Sequence, residues 1–330
     1  MARNARKAAV YVAMFAFVLL LACPVGRAED LSAYFIGNSF TRIAAPDGVA
    51  GLAAEQANGL TVGYHIYHAA PLHAILGTPN TTSVTSPSPY GKFANALPNY
   101  QWDAVTLQTF YKGSWNGFPP ATMQTDIDSI LSFISLARQN PANSDTKFYI
   151  YQSWPFIWTG TPFQQAWDAA SVDDLSTWSN HKREYYEDLI TRVRSQTDAE
   201  VYMIPVPEVL YALDTKMKAG QVPGYTSINQ FFQTDQLHLD EGPGTYVAGA
   251  TVYATLFGKD PAGLTRPAGY YGSDSQFSPE LYDALNETVW EVVSTNPYTG
   301  VPEPATLSLL ALAGLAVVAR RRKRPGMQRE

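Results

Sequence analysis

Five short apolar runs, each followed by a stretch long enough to hold a helix, constrain the fold of this 330-residue chain more than any other feature. They are Ala33–Gly37, Leu60–Tyr67, Ala104–Gln108, Lys147–Gln152 and Glu200–Val206. Helical patterns cover Val49–Asn58, Thr122–Gln139, Leu175–Ser195, Pro207–Ala219 and Thr245–Phe257. In Thr122–Gln139, Ile127, Ile130, Leu131 and Ile134 keep one apolar face. A last helix opens at Ser278 and Pro279, residue types suited to the N-cap and first turn. Strand alternating with helix predicts a parallel sheet covered by helices on both faces. Because parallel crossovers are right-handed, the simplest topology is a flavodoxin-like three-layer α/β/α sandwich with a sheet of about five strands. Two segments break the rhythm: Gly77–Pro89, with Pro79, Pro87 and Pro89 among Thr, Ser and Asn, and Lys112–Pro120, with Trp115, Gly117 and two prolines. Both read as loops leaving the sheet near its functional edge, either as walls or a lid of a pocket or as plain surface insertions.

The two ends of the chain read as addresses. Arg3, Arg6 and Lys7 precede an apolar run from Ala8 to Ala22 and the small-residue site Gly26-Arg27-Ala28. That is the pattern of a secretory signal peptide over residues 1–28. Leu20-Leu21-Ala22-Cys23 loosely resembles a bacterial lipoprotein box, which makes lipidation of Cys23 the alternative to its removal. Cys23 is the only cysteine, so neither outcome leaves a disulfide framework or a cysteine metal site. Residues 301–330 read Val301-Pro302-Glu303-Pro304, an apolar run from Ala305 to Ala319, and Arg320-Arg321-Arg322-Lys323-Arg324. This tail resembles the PEP-CTERM sorting signals of Gram-negative bacteria. The resemblance implies recognition and cleavage by an exosortase and export to the cell surface or exopolysaccharide matrix. The basic cluster should stay cytoplasmic, with everything before residue 301 outside. The apolar run falls short of the ~20 residues that comfortably span a bilayer. A short, transient transmembrane anchor suits it, with an ordinary tail anchor as the alternative.

Residues 29–300 between the signals read as one domain, since no repeat, linker or heptad pattern divides them and only 16% of the chain is charged. Residues 1–28 hold four basic residues, and 305–330 hold six basic and one acidic; the remainder has 13 Lys and Arg against 28 Asp and Glu, a net charge of −15. Such a balance makes nucleic acid a poor partner. It also disfavours other polyanions unless the few basic residues cluster at one site.

The first strand ends abruptly. Tyr34-Phe35-Ile36-Gly37-Asn38-Ser39-Phe40-Thr41 passes from an apolar strand into a small-residue turn carrying one serine. Ligands of open α/β sheets bind beyond the carboxyl ends of the strands, so Ser39 sits where chemistry is usually done. A serine hydroxyl needs a nearby base. Asp235-Gln236-Leu237-His238 offers an acid and a histidine on one loop, spaced so that both can face the first strand and the carboxylate can hold the ring in one tautomer. Gly37-Asn38-Ser39-Phe40-Thr41 together with Asp235-x-x-His238 resembles the SGNH/GDSL hydrolase superfamily over about residues 31–258, in particular bacterial branches that begin Gly-Asn-Ser-Phe-Thr. The α/β-hydrolase elbow does not fit, because Thr41 stands where Gly-x-Ser-x-Gly has its second glycine. The resemblance implies a three-layer α/β/α fold and ester hydrolysis, with Ser39 as nucleophile, His238 as general base and Asp235 as the orienting carboxylate. Asp240 is a possible substitute for Asp235. In that superfamily the oxyanion is held by the serine N–H, a glycine N–H after the second strand and an asparagine side chain after the third. Here the second position reads Tyr67-His68-Ala69-Ala70-Pro71, so Ala69 or Ala70 would supply the backbone donor, Pro71 having none. Gln108 stands at the third, where the resemblance implies that its amide donates.

His65, His68 and His73 lie within nine residues, but no cysteine or acid in their segment completes a zinc set, and neither a metal nor any other cofactor is expected. His65 and His68, three apart, fall on opposite faces of a strand; His68 and His73 are candidates to line the pocket. His181 reads as a solvated surface residue, and Trp154 and Trp158 as core residues or sugar-stacking aromatics. The resulting expectation is an exported, metal-independent serine esterase, acting on acyl groups of extracellular carbohydrate. The competing readings are a non-catalytic matrix or glycan-binding protein on the same scaffold, and a lipase-like or thioesterase activity on long acyl chains.

Overall fold

The computed structural model describes residues 28–110, 117–119, 121–157, 160–169 and 182–302. The expected signal peptide, Cys23, the C-terminal apolar run and its basic cluster lie outside the described residues, as do Trp115, Trp158 and His181. Five strands form one all-parallel sheet: β1 Asp30–Gly37, β2 Gly59–Ile66, β3 Ala104–Gln108, β4 Lys147–Tyr151 and β5 Val201–Ile204, in the order β2-β1-β3-β4-β5. All five expected strands are present. β5 stops at Ile204, short of Val206, because Pro205 has no N–H for the ladder and instead precedes a helix. β1, β3 and β4 are buried along most of their length, as strands covered on both faces must be.

Ten α-helices lie among the described residues: α1 Ser39–Ile43, α2 Pro46–Glu55, α3 Leu72–Gly77, α4 Phe93–Asn99, α5 Met123–Ala137, α6 Phe163–Trp167, α7 Arg183–Arg194, α8 Val206–Lys218, α9 Pro243–Phe257 and α10 Pro279–Thr295. α9 packs on α2, α8 and α10 in one layer, and α5 packs on α3, α4 and α7 in the other. The three-layer sandwich follows. α9 is buried along its whole length, consistent with a helix apolar on all sides. Ser278 caps α10 by accepting from Leu281 N–H at 3.2 Å, with Pro279 as its first residue. Of the helix expected over Leu175–Ser195, the described part begins at Arg183. α3 and α4 were not expected, being too short to show a period.

From β1 the chain first crosses to β2 on one side and then to β3 on the other. A crevice therefore opens beyond the carboxyl ends of β1 and β3. Ser39 follows β1 by two residues and Gln108 ends β3, so both fall at that crevice. Among the described residues no helix is long and apolar enough to cross a membrane.

Candidate active site

Close approach dictates how β1 ends. A Cβ on Gly37 would stand 2.1 Å from Thr41 Oγ1 and 2.7 Å from Gln108 Cβ, so only glycine fits. Asn38 then caps α1: its Oδ1 accepts from Phe40 N–H at 3.1 Å while its Nδ2 donates to the Ala70 carbonyl at 3.2 Å. Ser39 becomes the first residue of the helix. Phe40 drops into the core and stacks on Trp154, ring centroids 4.3 Å apart at 14°.

The second half of the site is a tight loop over residues 231–240. Phe232 and Leu239 form an antiparallel bridge, Gln233 N–H donates to the His238 carbonyl at 2.8 Å, and Gln236 turns the chain at φ 55°. Trp154 Nε1–H reaches across from beyond β4 to the Leu237 carbonyl at 2.8 Å. Trp154 is wholly buried, so it serves the core and fastens the loop; it offers no face to a sugar.

These contacts bring Ser39, His238 and Asp235 together. His238 Nε2 lies 2.9 Å from Ser39 Oγ, and its Nδ1 lies 2.5 Å from Asp235 Oδ2. Asp235 Oδ1 accepts from the N–H groups of Leu237 and His238, both at 3.0 Å. Partial burial pushes the Asp235 carboxyl up, but the His238 ring and these two N–H groups together outweigh it and hold it below its usual value. An ionised Asp235 keeps the proton on Nδ1, which leaves Nε2 free to accept from the serine hydroxyl. Asp240 does not take this role: its Oδ1 accepts from Gly244 N–H at 2.7 Å in the first turn of α9, and burial pushes its carboxyl up to about 6.

Gln108 departs from the expectation. Its Oε1 accepts from Asn38 N–H at 2.8 Å, while its Nε2 donates to the Thr109 carbonyl and to Ser153 Oγ at 2.9 Å. The side chain is wholly buried, with both amide hydrogens engaged away from Ser39. It ties the serine turn to β3 and β4 and presents no donor to the pocket. The network continues through Tyr186, whose hydroxyl accepts from Thr109 Oγ1 at 3.1 Å and from Ser153 N–H at 2.8 Å. Ala69, in contrast, lines the cavity beside Ser39. It adopts φ 57°, the left-handed conformation that a glycine would take without strain. The Ala70 N–H is already bonded to the Tyr67 carbonyl at 3.2 Å, whereas the N–H groups of Ser39 and Ala69 have no partner among the described residues.

The cavity at Ser39 encloses about 800 Å³. Val84, from the Gly77–Pro89 loop, forms part of its wall, and Ser83 Oγ accepts from His68 N–H at 3.0 Å. His68 lines the cavity and His73 does not. His65, on β2, is buried, with its Nε2 on the Thr81 carbonyl at 2.7 Å, and burial lowers its pKa to about 4. Among the described residues no three His, Cys, Asp or Glu side chains gather as a metal site. Arg42 and Tyr270 also line the cavity. Sequence reasoning passed over both, although Arg42 follows Ser39 by one helical turn and Tyr270 stands between glycines at 269 and 272. Ser153 and Tyr186 carried no signal, because their role depends on strands brought side by side.

Residues 300–323 match the PEP-CTERM protein-sorting motif, which marks an exported cell-surface protein of Gram-negative-type bacteria and implies processing by an exosortase. No curated protein matches the chain in sequence. Among solved structures, the chain is similar to a DUF4886 family protein from Bacteroides uniformis, with a TM-score of 0.55 at 14% identity, covering 84% of this chain and 98% of that one. It is more loosely similar to a carbohydrate esterase family 3 structure from Talaromyces cellulolyticus, with a TM-score of 0.41 at 13% identity, covering 68% of this chain and 96% of that one. A periplasmic domain of a lipopolysaccharide acetyltransferase from Salmonella ser. Paratyphi A gives 0.33 at 12% identity, over 56% and 69% of the two chains. The likeness to the Bacteroides uniformis protein, at 14% identity, is one of fold.

Proposed function

We propose that this exported protein is a serine esterase of the SGNH type, with residues 1–28 removed as a signal peptide, residues 29–300 forming the hydrolase domain and residues 301–330 directing sorting. The observation that carries the reading is the pair of distances at His238: 2.9 Å to Ser39 Oγ and 2.5 Å to Asp235 Oδ2. Ser39 Oγ attacks the ester carbonyl as its proton passes to His238 Nε2, and Asp235 stabilises the imidazolium. The N–H groups of Ser39 and Ala69 hold the oxyanion. His238 then gives its proton to the departing alcohol, leaving acyl-Ser39. A water deprotonated by His238 releases the acid and restores the hydroxyl. The substrate class favoured by the cell-surface location is an acyl ester on extracellular carbohydrate, such as exopolysaccharide.

Ser39→Ala should lower hydrolysis of a short-chain chromogenic ester by about four orders of magnitude or more with an unchanged melting temperature. Unchanged turnover overturns the assignment. A fluorophosphonate probe should label native protein at Ser39 and neither the variant nor heat-denatured protein. The inward-turned amide of Gln108 favours a second reading, a glycan-binding surface protein without turnover, since it leaves two backbone donors where the superfamily has three. Folded protein inert to the probe selects that reading.

A further inference from the structure

We propose that Tyr270, with the Asp47–Tyr64 pair, forms a subsite for a neutral pyranose ring and so holds the sugar end of an ester placed at Ser39; the second half of this statement rests on the esterase reading above. Tyr270 is the one large apolar side chain left exposed among the described residues, at 37%, and it lines the same cavity as Ser39. Its exposure is built in. Gly269, Tyr271 and Gly272 all take positive φ, at 84°, 57° and 82°. For Tyr271 this is a conformation that side chains rarely adopt, and such residues persist only where their surroundings over-determine them. The surroundings do so here. The Tyr271 ring is buried, its hydroxyl donates to the Ala44 carbonyl at 3.0 Å, and it occupies space that a Cβ on Gly48 or Gly249 would enter, at 2.7 and 2.2 Å. A Cβ on Gly272 would stand 2.2 Å from the Glu241 carbonyl, three residues beyond His238. Arg266, paired with Asp274, donates to the Tyr270 carbonyl at 3.0 Å. The loop is thus fixed to the α1–α2 junction on one side and to the His238 loop on the other, with Tyr270 facing outward between them.

Asp47, in the first turn of α2, and Tyr64 both line the cavity, and burial together with the Asp47 charge beside it raises the Tyr64 hydroxyl above its ordinary pKa. An aromatic face beside a carboxylate suits a sugar, whose C–H face packs on the ring while its hydroxyls donate to the carboxylate. A long acyl chain would have to cover the charges of Asp47, Glu241 and Arg42 in the same cavity, which is costly. A polyanionic glycan would meet a protein whose residues 29–304 carry a net charge of −15. A neutral sugar avoids both penalties.

The test compares methyl 6-O-acetylglucopyranoside with vinyl acetate, which has the same acyl group and no sugar. In Tyr270→Ala the ratio of kcat/KM for the glucoside to that for vinyl acetate should fall about three- to tenfold, through KM, and Tyr270→Trp should restore it. An unchanged ratio overturns the proposal. A second arm needs no turnover: Ser39→Ala protein should give saturation-transfer NMR signals from the ring hydrogens of methyl glucopyranoside, and Ser39→Ala/Tyr270→Ala protein should not. Signals that persist without Tyr270, or that never appear, refute the subsite. Protein inert towards both esters that still shows Tyr270-dependent transfer keeps the subsite and removes the esterase reading.

Discussion

Gln108 shows how one side chain's partners decide its role. Its carbonyl end holds Asn38 N–H and its amide end holds Thr109 and Ser153, so it acts on Ser39 through the backbone of the serine turn. Gln108→Leu should therefore lower stability as well as activity, by about 1–3 kcal/mol for each buried group left unpaired; a variant of wild-type stability in urea that had lost only kcat would contradict this. Asp235→Asn should reduce kcat by about 10⁴-fold, because an amide no longer selects the tautomer that leaves Nε2 unprotonated. Asp126 carries a different prediction. It is wholly buried on α5, with burial pushing its carboxyl up to about 7 against a hydrogen bond from Tyr185, 2.7 Å from Oδ2. The folded state then keeps a proton that the unfolded state, with an ordinary carboxyl pKa of about 3.9, releases. Stability accordingly falls as pH rises between about 4 and 7. Asp240, raised to about 6, acts in the same direction over a narrower window. His65, lowered by burial to about 4, acts in the opposite direction, so the test is a difference between two proteins: the melting temperature of Asp126→Asn relative to that of the wild type should rise from about pH 5 to about pH 8.

At the scale of elements, the site is two short pieces of chain fastened to the sheet by side chains from elsewhere. α1 is only five residues long and is held by Asn38, Gln108 and the Phe40–Trp154 stack. The His238 loop hangs from Trp154 Nε1–H. Trp154→Phe keeps a ring against Phe40 but leaves the Leu237 carbonyl without its donor. We expect a loss of about 1–3 kcal/mol in stability, with kcat reduced further than the melting temperature alone would suggest. Stopped-flow or steady-state kinetics beside calorimetry would separate the two effects. The strands were legible because each is a compact apolar run. The long helices α5, α8, α9 and α10 were legible from their period or caps. α3 and α4, at six and seven residues, carry too few turns to declare a face, and their packing against α5 supplies what periodicity cannot.

For the whole molecule, the PEP-CTERM match places the sandwich outside the cytoplasm, with the sorting tail beginning where the described domain ends. Expression in an exosortase-bearing host should yield protein lacking the C-terminal tail by intact-mass measurement, and replacing Pro302, Glu303 and Pro304 by alanine should leave the tail in place. Tail retention in both would argue against processing at this motif.

The order of apolar runs and the C-terminal sorting motif determined the parallel α/β architecture and the export of the protein, because these depend on local pattern and on partition between water and hydrocarbon. That Ser39, Asp235 and His238 would meet was legible as well, since their types and spacing are properties of the chain itself. The inward aim of Gln108, the left-handed Ala69, the clamp by Trp154 and the outward Tyr270 were decided only in three dimensions. Each is set by what lies beside it from a distant stretch of chain, and no one-dimensional pattern encodes which hydrogen-bond partners a buried side chain will find.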